Sequence, residues 1–319
     1  MPSIAEHLNW HVKQWWHARR ARGVLATPPI VPRDDGVVIF SMIGTRVLLP
    51  YLVAVKSFHA ALGRGRIAIL DDGTLTDEDR ATLAHHLGNP EIRHISTIDT
   101  GPCPKGSVWE RLFMLLDLRR HDYVIQLDSD TVTVGAVPEI AAAIAAGRDF
   151  TLLGEADATL VDAAAFARAQ PPCDPRSPAV HVQQASEAVL DRIAIPGVSA
   201  PRYVRGCAGF AGFAPSSDGS ALTEAFSQEM DRLIGRPAWA RWGSEQVASN
   251  FAIANSADPL LLPYARYLNF WNERIAHDAA FVHFIGTYRF HGNAYLTATD
   301  EAIAALRGGW GQAPVSRAA

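Results

Sequence analysis

Between positions 37 and 127, short apolar runs alternate with longer stretches whose apolar residues recur every three or four positions. That alternation limits the fold more than any other feature of the chain. VVIFSMI (Val37 to Ile43), RIAIL (66–70), EIRHI (91–95) and YVIQL (Tyr123 to Leu127) have the length and composition of buried strands. Leu48, Leu52, Val55, Phe58 and Leu62 lie at helical spacing after the first run. Thr76 with Asp79 forms a capping-box-like start to a helix reaching Leu87. Trp109, Leu112, Phe113 and Leu116 repeat at i, i+3, i+4 and i+7, which predicts an amphipathic helix before the fourth strand. Strands alternating with helices predict an α/β fold, a Rossmann-type, doubly wound and mostly parallel sheet. Ligands bind such sheets beyond the carboxyl ends of the strands. Thr45, Asp71, Asp72, Asp128 and Asp130 all fall at that edge.

A chain of 319 residues, 48% of them hydrophobic, is long enough for one large α/β domain or for two smaller domains. Lys plus Arg is 29 and Asp plus Glu is 33, for a formal charge of −4. A polyanion binder is usually basic overall, so no nucleic-acid partner is expected. Cys103, Cys173 and Cys207 form no C-x-x-C pair, and an odd number suits neither a disulfide framework nor a zinc knuckle. The first residues lack the order of a signal peptide, and no run approaches the roughly 20 apolar residues that span a bilayer. The expectation is a cytoplasmic protein.

Asp128-Ser129-Asp130 closes the fourth strand. Two carboxylates one residue apart share a face if the strand continues. They raise each other's pKa unless a cation neutralises them, and carboxylate oxygens suit Mg²⁺ or Mn²⁺. Such an ion offsets the charge building on a departing diphosphate. The plainer alternative is a solvated turn that contains two Asp. A carboxylate at a surface edge would also contribute little to core packing.

The run WERLFMLLDLRRHDYVIQLDSDTVTVG resembles the stretch around the D-x-D motif of GT-A-fold glycosyltransferases. It is most similar to the retaining family that includes glycogenin and the lipopolysaccharide galactosyltransferases. Arg111-Leu112, Asp128-Ser129-Asp130 and Pro138 follow that family's order. Farther on, CAGFAGF resembles its N-A-G-hydrophobic strand with Cys207 in place of Asn. Glu245-Gln246 with Asn250 resembles its D-Q…N helix. His283-Phe284-Ile285-Gly286 resembles its H-x-x-G, with Arg289 where the family has Lys. The likeness covers residues 37–289, with its weight in these four short motifs.

The resemblance implies a metal-dependent glycosyltransferase that moves a sugar from a nucleoside-diphosphate sugar, UDP favoured, to a carbohydrate or other hydroxyl acceptor with retention. Asp130 and His283 would ligate Mn²⁺ or Mg²⁺, and Asp128 would bind the metal or the ribose. Arg111 would contact the diphosphate or the donor sugar, and Asp71 or Asp72 the nucleobase or ribose. Thr45, Gly286 and Arg289 complete the nucleotide-sugar candidates, and Glu245 or Gln246 would lie near the anomeric carbon. Each has a structural alternative. His283 between Val282 and Phe284 reads equally as a core histidine. Asp72-Gly73 is a good turn, Glu245 can cap its helix after Ser244, and Arg111 can pair with Glu110 or Asp117. Trp239, Trp242, Trp271 and Trp310 can stack on sugars, but most tryptophans pack.

Two other functions fit parts of the sequence. Haloacid-dehalogenase-type phosphatases also carry D-x-D after a strand, but usually on the first one, and they need a later paired acidic motif; no Asp-Asp pair follows Asp130 here. A non-catalytic nucleotide- or sugar-binding module is the second. The expected organisation is a basic amphipathic helix and Pro-rich linker (1–35), one domain (36–310, nucleotide half 36–135 and acceptor half 136–310), and a disordered tail (311–319). The first helix mixes Trp10, Trp15 and Trp16 with Lys13, Arg19, Arg20 and Arg22. It fits a weak membrane-surface anchor, self-association, or packing on the main domain.

Overall fold

Runs of β-branched and aromatic residues buried on both faces favour extended backbone in a covered sheet. The computed structural model describes residues 4–310; the expected tail at 311–319 lies outside the described residues. Its strands are β1 (Val37–Ile43), β2 (Arg66–Asp71), β3 (Glu91–His94), β4 (Tyr123–Leu127), β5 (Thr131–Thr133), β6 (Phe150–Leu153), β7 (Val161–Asp162), β8 (Arg202–Tyr203), β9 (Gly206–Phe213), β10 (Leu260–Leu261), β11 (Tyr267–Asn269) and β12 (Phe281–His283). Seven of them make one sheet in the order β10-β6-β9-β4-β1-β2-β3. β1 and β2 run parallel, as do β6 and β10, whereas β9 is antiparallel to β6. This is the expected α/β arrangement, a mostly parallel sheet flanked by helices with D-x-D after β4. A three-stranded sheet, β11-β12-β5, and the pair β7-β8 complete the strands.

The chain divides into two compact units. The first comprises Met1–Arg93, Ile125–Ala142 and Pro263–Ala319. Its core holds β1 and the helix Leu48–Leu62, whose Tyr51, Leu52, Val55 and Phe58 are buried. The expected capping box at Thr76 is present: the Asp79 amide donates to its hydroxyl and the Asp79 carboxylate receives its amide. Such a cap is worth about 1 kcal/mol. The second unit comprises His94–Val124 and Ala143–Leu262. Its core stacks Phe226 on Phe251 at 4.1 Å and sets Trp109 edge-on to Trp239 at 5.6 Å. Both tryptophans donate to buried serines, Trp109 to Ser244 at 2.9 Å and Trp239 to Ser227 at 2.8 Å. Trp239 is therefore a packing residue, whereas Trp242 and Trp271 are exposed.

The N-terminal helix Ile4–Ala21 packs into the first unit against the helix Ala294–Gly308. Trp10 meets the edge of Phe290 at 5.1 Å. His17 stacks on Tyr295 at 3.8 Å and shares a hydrogen bond of 3.0 Å with Thr299. The Pro-rich stretch that follows is tied down by the Ile30 amide on His86 O and the Arg33 amide on Gly65 O, both 3.0 Å. No helix among the described residues is long and apolar enough to cross a membrane.

Burial, then the charge of Arg289, lowers the pKa of His17 from 6.5 to about 4. An unfolded chain takes up that proton near pH 6.5, while the folded chain resists it down to about pH 4. His17 therefore contributes stability that is fully present above pH 6.5 and is lost as pH falls toward 4, a loss on the order of 3 kcal/mol. Thermal melts across that window should show it. His17→Gln, which keeps a partner for Thr299, should flatten the pH dependence; an unchanged slope would refute the assignment.

Candidate functional site

The D-x-D motif lies where the chain changes sheets. β4 ends at Leu127, residues 128–130 turn, and Thr131 opens β5 in the small sheet. The Thr131 hydroxyl donates to Asp128 O at 2.8 Å and fixes that turn. The strand does not continue through the motif, so the shared strand face does not arise. The carboxylates are instead drawn together by a turn, and β5 pairs antiparallel with β12 in a register that sets Thr131 opposite His283. The Phe284 amide donates to Asp130 O at 2.9 Å, which carries the ladder on to Asp130.

This register builds a cluster inside the first unit. One ligand atom each from Asp128, Asp130 and His283 lies within 4.8 Å of the others. Nε2 of His283 stands 3.3 Å from Asp130 Oδ1. Its other ring nitrogen, Nδ1, lies 2.9 Å from Oδ1 of Asn269, the residue beside it in β11. Asn269 Oδ1 accepts the Nδ1 proton, so neutral His283 presents its Nε2 lone pair to the Asp130 carboxylate. Lone pair against anion is repulsive unless a proton or a metal ion lies between them. Two carboxylates, an imidazole with its tautomer held, and a common centre suit a divalent cation.

Asp130 is 9% exposed, not a surface-edge group as its place in the sequence suggests. Burial pushes its carboxyl pKa up; the charge and hydrogen bond of His283 in its protonated form, then the charge of Arg289, outweigh that and hold it at about 2. Arg289 forms an ion pair with Asp130 Oδ2 and donates through Nε to Phe284 O at 3.0 Å. Arg289 follows a short 3-10 turn, Gly286–Tyr288, and Gly286 is exposed. Removing Asp130 leaves an arginine and a buried histidine without their anion, so it costs stability as well as any metal.

Thr45, Asp71 and Asp72 collect where β1 and β2 end. Asp71 is 1% exposed and fully engaged: Oδ1 accepts from the Gly73 and Leu75 amides at 2.8 and 3.2 Å, and Oδ2 pairs with Arg80. Asp71 holds the turn together, which leaves Asp72 as the exposed carboxylate. Asp72 accepts from the Thr74 amide at 3.0 Å and its hydroxyl at 2.6 Å. Thr45 donates to Thr74 O and, at 2.6 Å, to Asp79. A Cβ on Gly44 would stand 2.3 Å from both Asp72 carboxylate oxygens, so a side chain there would displace that carboxylate.

The remaining candidates lie in the second unit. Arg111 donates to Glu245 at 3.0 Å, and the two are 8% and 1% exposed. Arg111 is thus a buried partner of Glu245 rather than a surface residue. The helix Ser244–Ala254 starts at Gly243 without a side-chain cap, so Glu245 does not cap it. Gln246 is half-buried; its Oε1 accepts from the Ala208 amide at 3.2 Å and its Nε2 donates to Gln183 at 3.3 Å. Cys207, in the Asn position of the resemblance, is buried in β9. Asn269 is the residue that sequence reasoning missed. Nothing near it marks it; only the pairing of β11 with β12 makes it a partner of His283.

No protein-family model matches this chain, and no curated protein does. Among solved structures it is similar to the galactosyltransferase LgtC in complex with donor and acceptor sugar analogues. That match has 13% identity and a TM-score of 0.48, covering 88% of this chain and 98% of LgtC. It is similar to the bifunctional glycosyltransferase WbbM at 14% identity and a TM-score of 0.48, covering 81% of this chain and 47% of WbbM. The chain thus spans about half the length of WbbM. A third similar structure is core-mannan synthase A from Aspergillus fumigatus in its Mn/GDP form. There the identity is 10% and the TM-score 0.44, over 89% of this chain and 88% of that one.

If Asn269 sets the His283 tautomer, Asn269→Ala should weaken Mn²⁺ binding about 10- to 100-fold. Asn269→Asp, which still accepts the Nδ1 proton, should restore it. Free Mn²⁺ measured by electron paramagnetic resonance gives both affinities, and circular dichroism confirms the fold. Equal affinity in the wild type and the alanine variant would remove Asn269 from the site.

Proposed function

We propose that this protein is a metal-dependent glycosyltransferase that takes a sugar from a nucleoside-diphosphate sugar, UDP favoured, and gives it to a carbohydrate or other hydroxyl acceptor. The observation that carries the proposal is the Asp128, Asp130 and His283 cluster, with Asn269 behind the histidine. The D-x-D and H-x-x-G motifs stand far apart in sequence, and strand pairing makes them one site. The resemblance of both to the retaining family favours retention.

In this reading Asp128, Asp130 and His283 hold Mn²⁺ or Mg²⁺, which supplies Lewis-acid stabilisation of the diphosphate leaving group when bound. Asn269 fixes the imidazole so that Nε2 faces the ion. Arg289, next to Asp130, adds a positive charge for the diphosphate, and exposed Gly286 permits close approach. Thr45 and Asp72 meet the nucleoside, while Asp71 shapes their turn. Arg111 is positioned by buried Glu245. Gln246, the less buried of the Glu245-Gln246 pair, is the better candidate to face the anomeric carbon. The protein acts as a soluble enzyme of the cytoplasm.

Calorimetric titration with UDP tests the core of this reading. Affinity should require Mn²⁺ and fall at least about 10-fold with EDTA. His283→Ala should abolish that difference, whereas His291→Ala should not. UDP binding equally well with and without metal would overturn the proposal. Hydrolysis of a panel of UDP- and GDP-sugars by the wild type would then identify the donor.

A further inference from the structure

The N-terminal helix turns one face to the protein and another to solvent. Trp10 and His17 face inward, on Phe290, Tyr295 and Thr299, and Ala21 is buried. Val12, Trp15, Trp16 and Arg19 recur at i, i+3, i+4 and i+7, the spacing of a single helix face. Val12, Trp15 and Trp16 are 46%, 58% and 46% exposed. The two indoles meet edge to face at 5.0 Å, and the Arg19 guanidinium lies 5.9 Å from the Trp15 ring. Soluble proteins scatter exposed apolar residues singly. Here, of the large hydrophobic residues exposed among the described residues, Val12, Trp15, Trp16 and Leu25 fall within residues 12–25.

The charge around this stripe selects its partner. Lys13, Arg19, Arg20 and Arg22 lie on or beside it, in a chain whose net charge is −4. Asp300 pairs with Arg20. A two-fold self-association through this helix would set one basic cluster against its copy, which like charges oppose. An anionic bilayer offers the opposite charge, and its headgroup layer is where amphipathic indole rings settle.

We propose that Val12, Trp15, Trp16, Arg19 and Arg22 dock this protein on the surface of an anionic lipid bilayer. The helix lies in the plane of the interface, with the indoles at headgroup depth and the guanidinium groups on lipid phosphates. Its inward face stays sealed on the first unit, so docking needs no unfolding. Attachment is peripheral and salt-sensitive, because a single short stripe gives reversible binding. The inference does not depend on the glycosyltransferase reading.

Sedimentation of the full chain with sucrose-loaded vesicles tests it. Vesicles of phosphatidylcholine mixed with phosphatidylglycerol should retain about 10-fold more protein than phosphatidylcholine alone, and added salt should erase the difference. The double variants W15A/W16A and R19E/R22E should each lose that retention, with unchanged melting temperature and unchanged circular dichroism. Equal retention on both vesicles, or variants that sediment like the wild type, would overturn the proposal. So would a wild-type dimer in light scattering that W15A/W16A dissolves without any vesicle binding; that result would assign the stripe to self-association.

Discussion

The pairing of β5 with β12 is the contact on which the candidate site depends. It is short, yet its register sets Thr131 opposite His283 and hands the Asp130 carbonyl to the Phe284 amide. Without it, Asp128 and Asp130 are two carboxylates in a turn, and His283 is a histidine in an apolar strand. A slip of one residue would turn His283 to the other face and replace it with Val282 or Phe284, neither of which has a donor atom. The apolar neighbours hold the register. Phe281 packs against Phe58 and Tyr267, and Phe284 stacks on Tyr295 at 4.4 Å. Core packing on both sides of one polar residue therefore fixes a ligand position to within about a side-chain rotamer.

The same packing reaches the N-terminal helix. Tyr295 lies between Phe284 and His17. A short basic helix ahead of a proline-rich stretch thus braces the residue that stacks behind the H-x-x-G segment. Its buried face is served by His17, which has to remain uncharged there. Its outward face is free to carry tryptophan and arginine without disturbing that packing.

Much of the first unit was legible in the sequence because local rules decide it. Periodicity of two or of 3.6 residues, a capping box at Thr76, and glycine after Leu87 need no distant partner, and the strands and helices they predict are present. The metal candidates were legible as residue types but not as a cluster, since His283 reads equally as a core residue until the register is known. Three features were out of reach. Asp71 and Asp72 are adjacent and chemically identical, yet Arg80 nine residues on commits Asp71 to its turn. Glu245 and Arg111 are far apart in sequence and look like a capping and a surface residue, but they are one buried pair. Asn269 has no local signature. These are tertiary facts, and single-sequence patterns carry only the local part of the folding code.

Electrostatic balance is what turns this geometry into a site. Asp128 and Asp130 bring two negative charges, Arg289 returns one, and His283, with its Nδ1 proton given to Asn269, is neutral in the ligating tautomer. Within these four residues the carboxylates outweigh the guanidinium by one negative charge, with Asp130 at 9% exposure. A second bound proton would balance the cluster, but it would sit on Nε2 and occupy the ligating lone pair. A divalent cation instead reverses the sign and leaves one positive charge facing the open side. That is the condition a diphosphate requires, and it makes anion affinity conditional on the metal: without it the same carboxylates repel the ligand. Arg289, whose guanidinium also bonds Asp130 and the Phe284 carbonyl, adds to that positive charge but does not replace the cation.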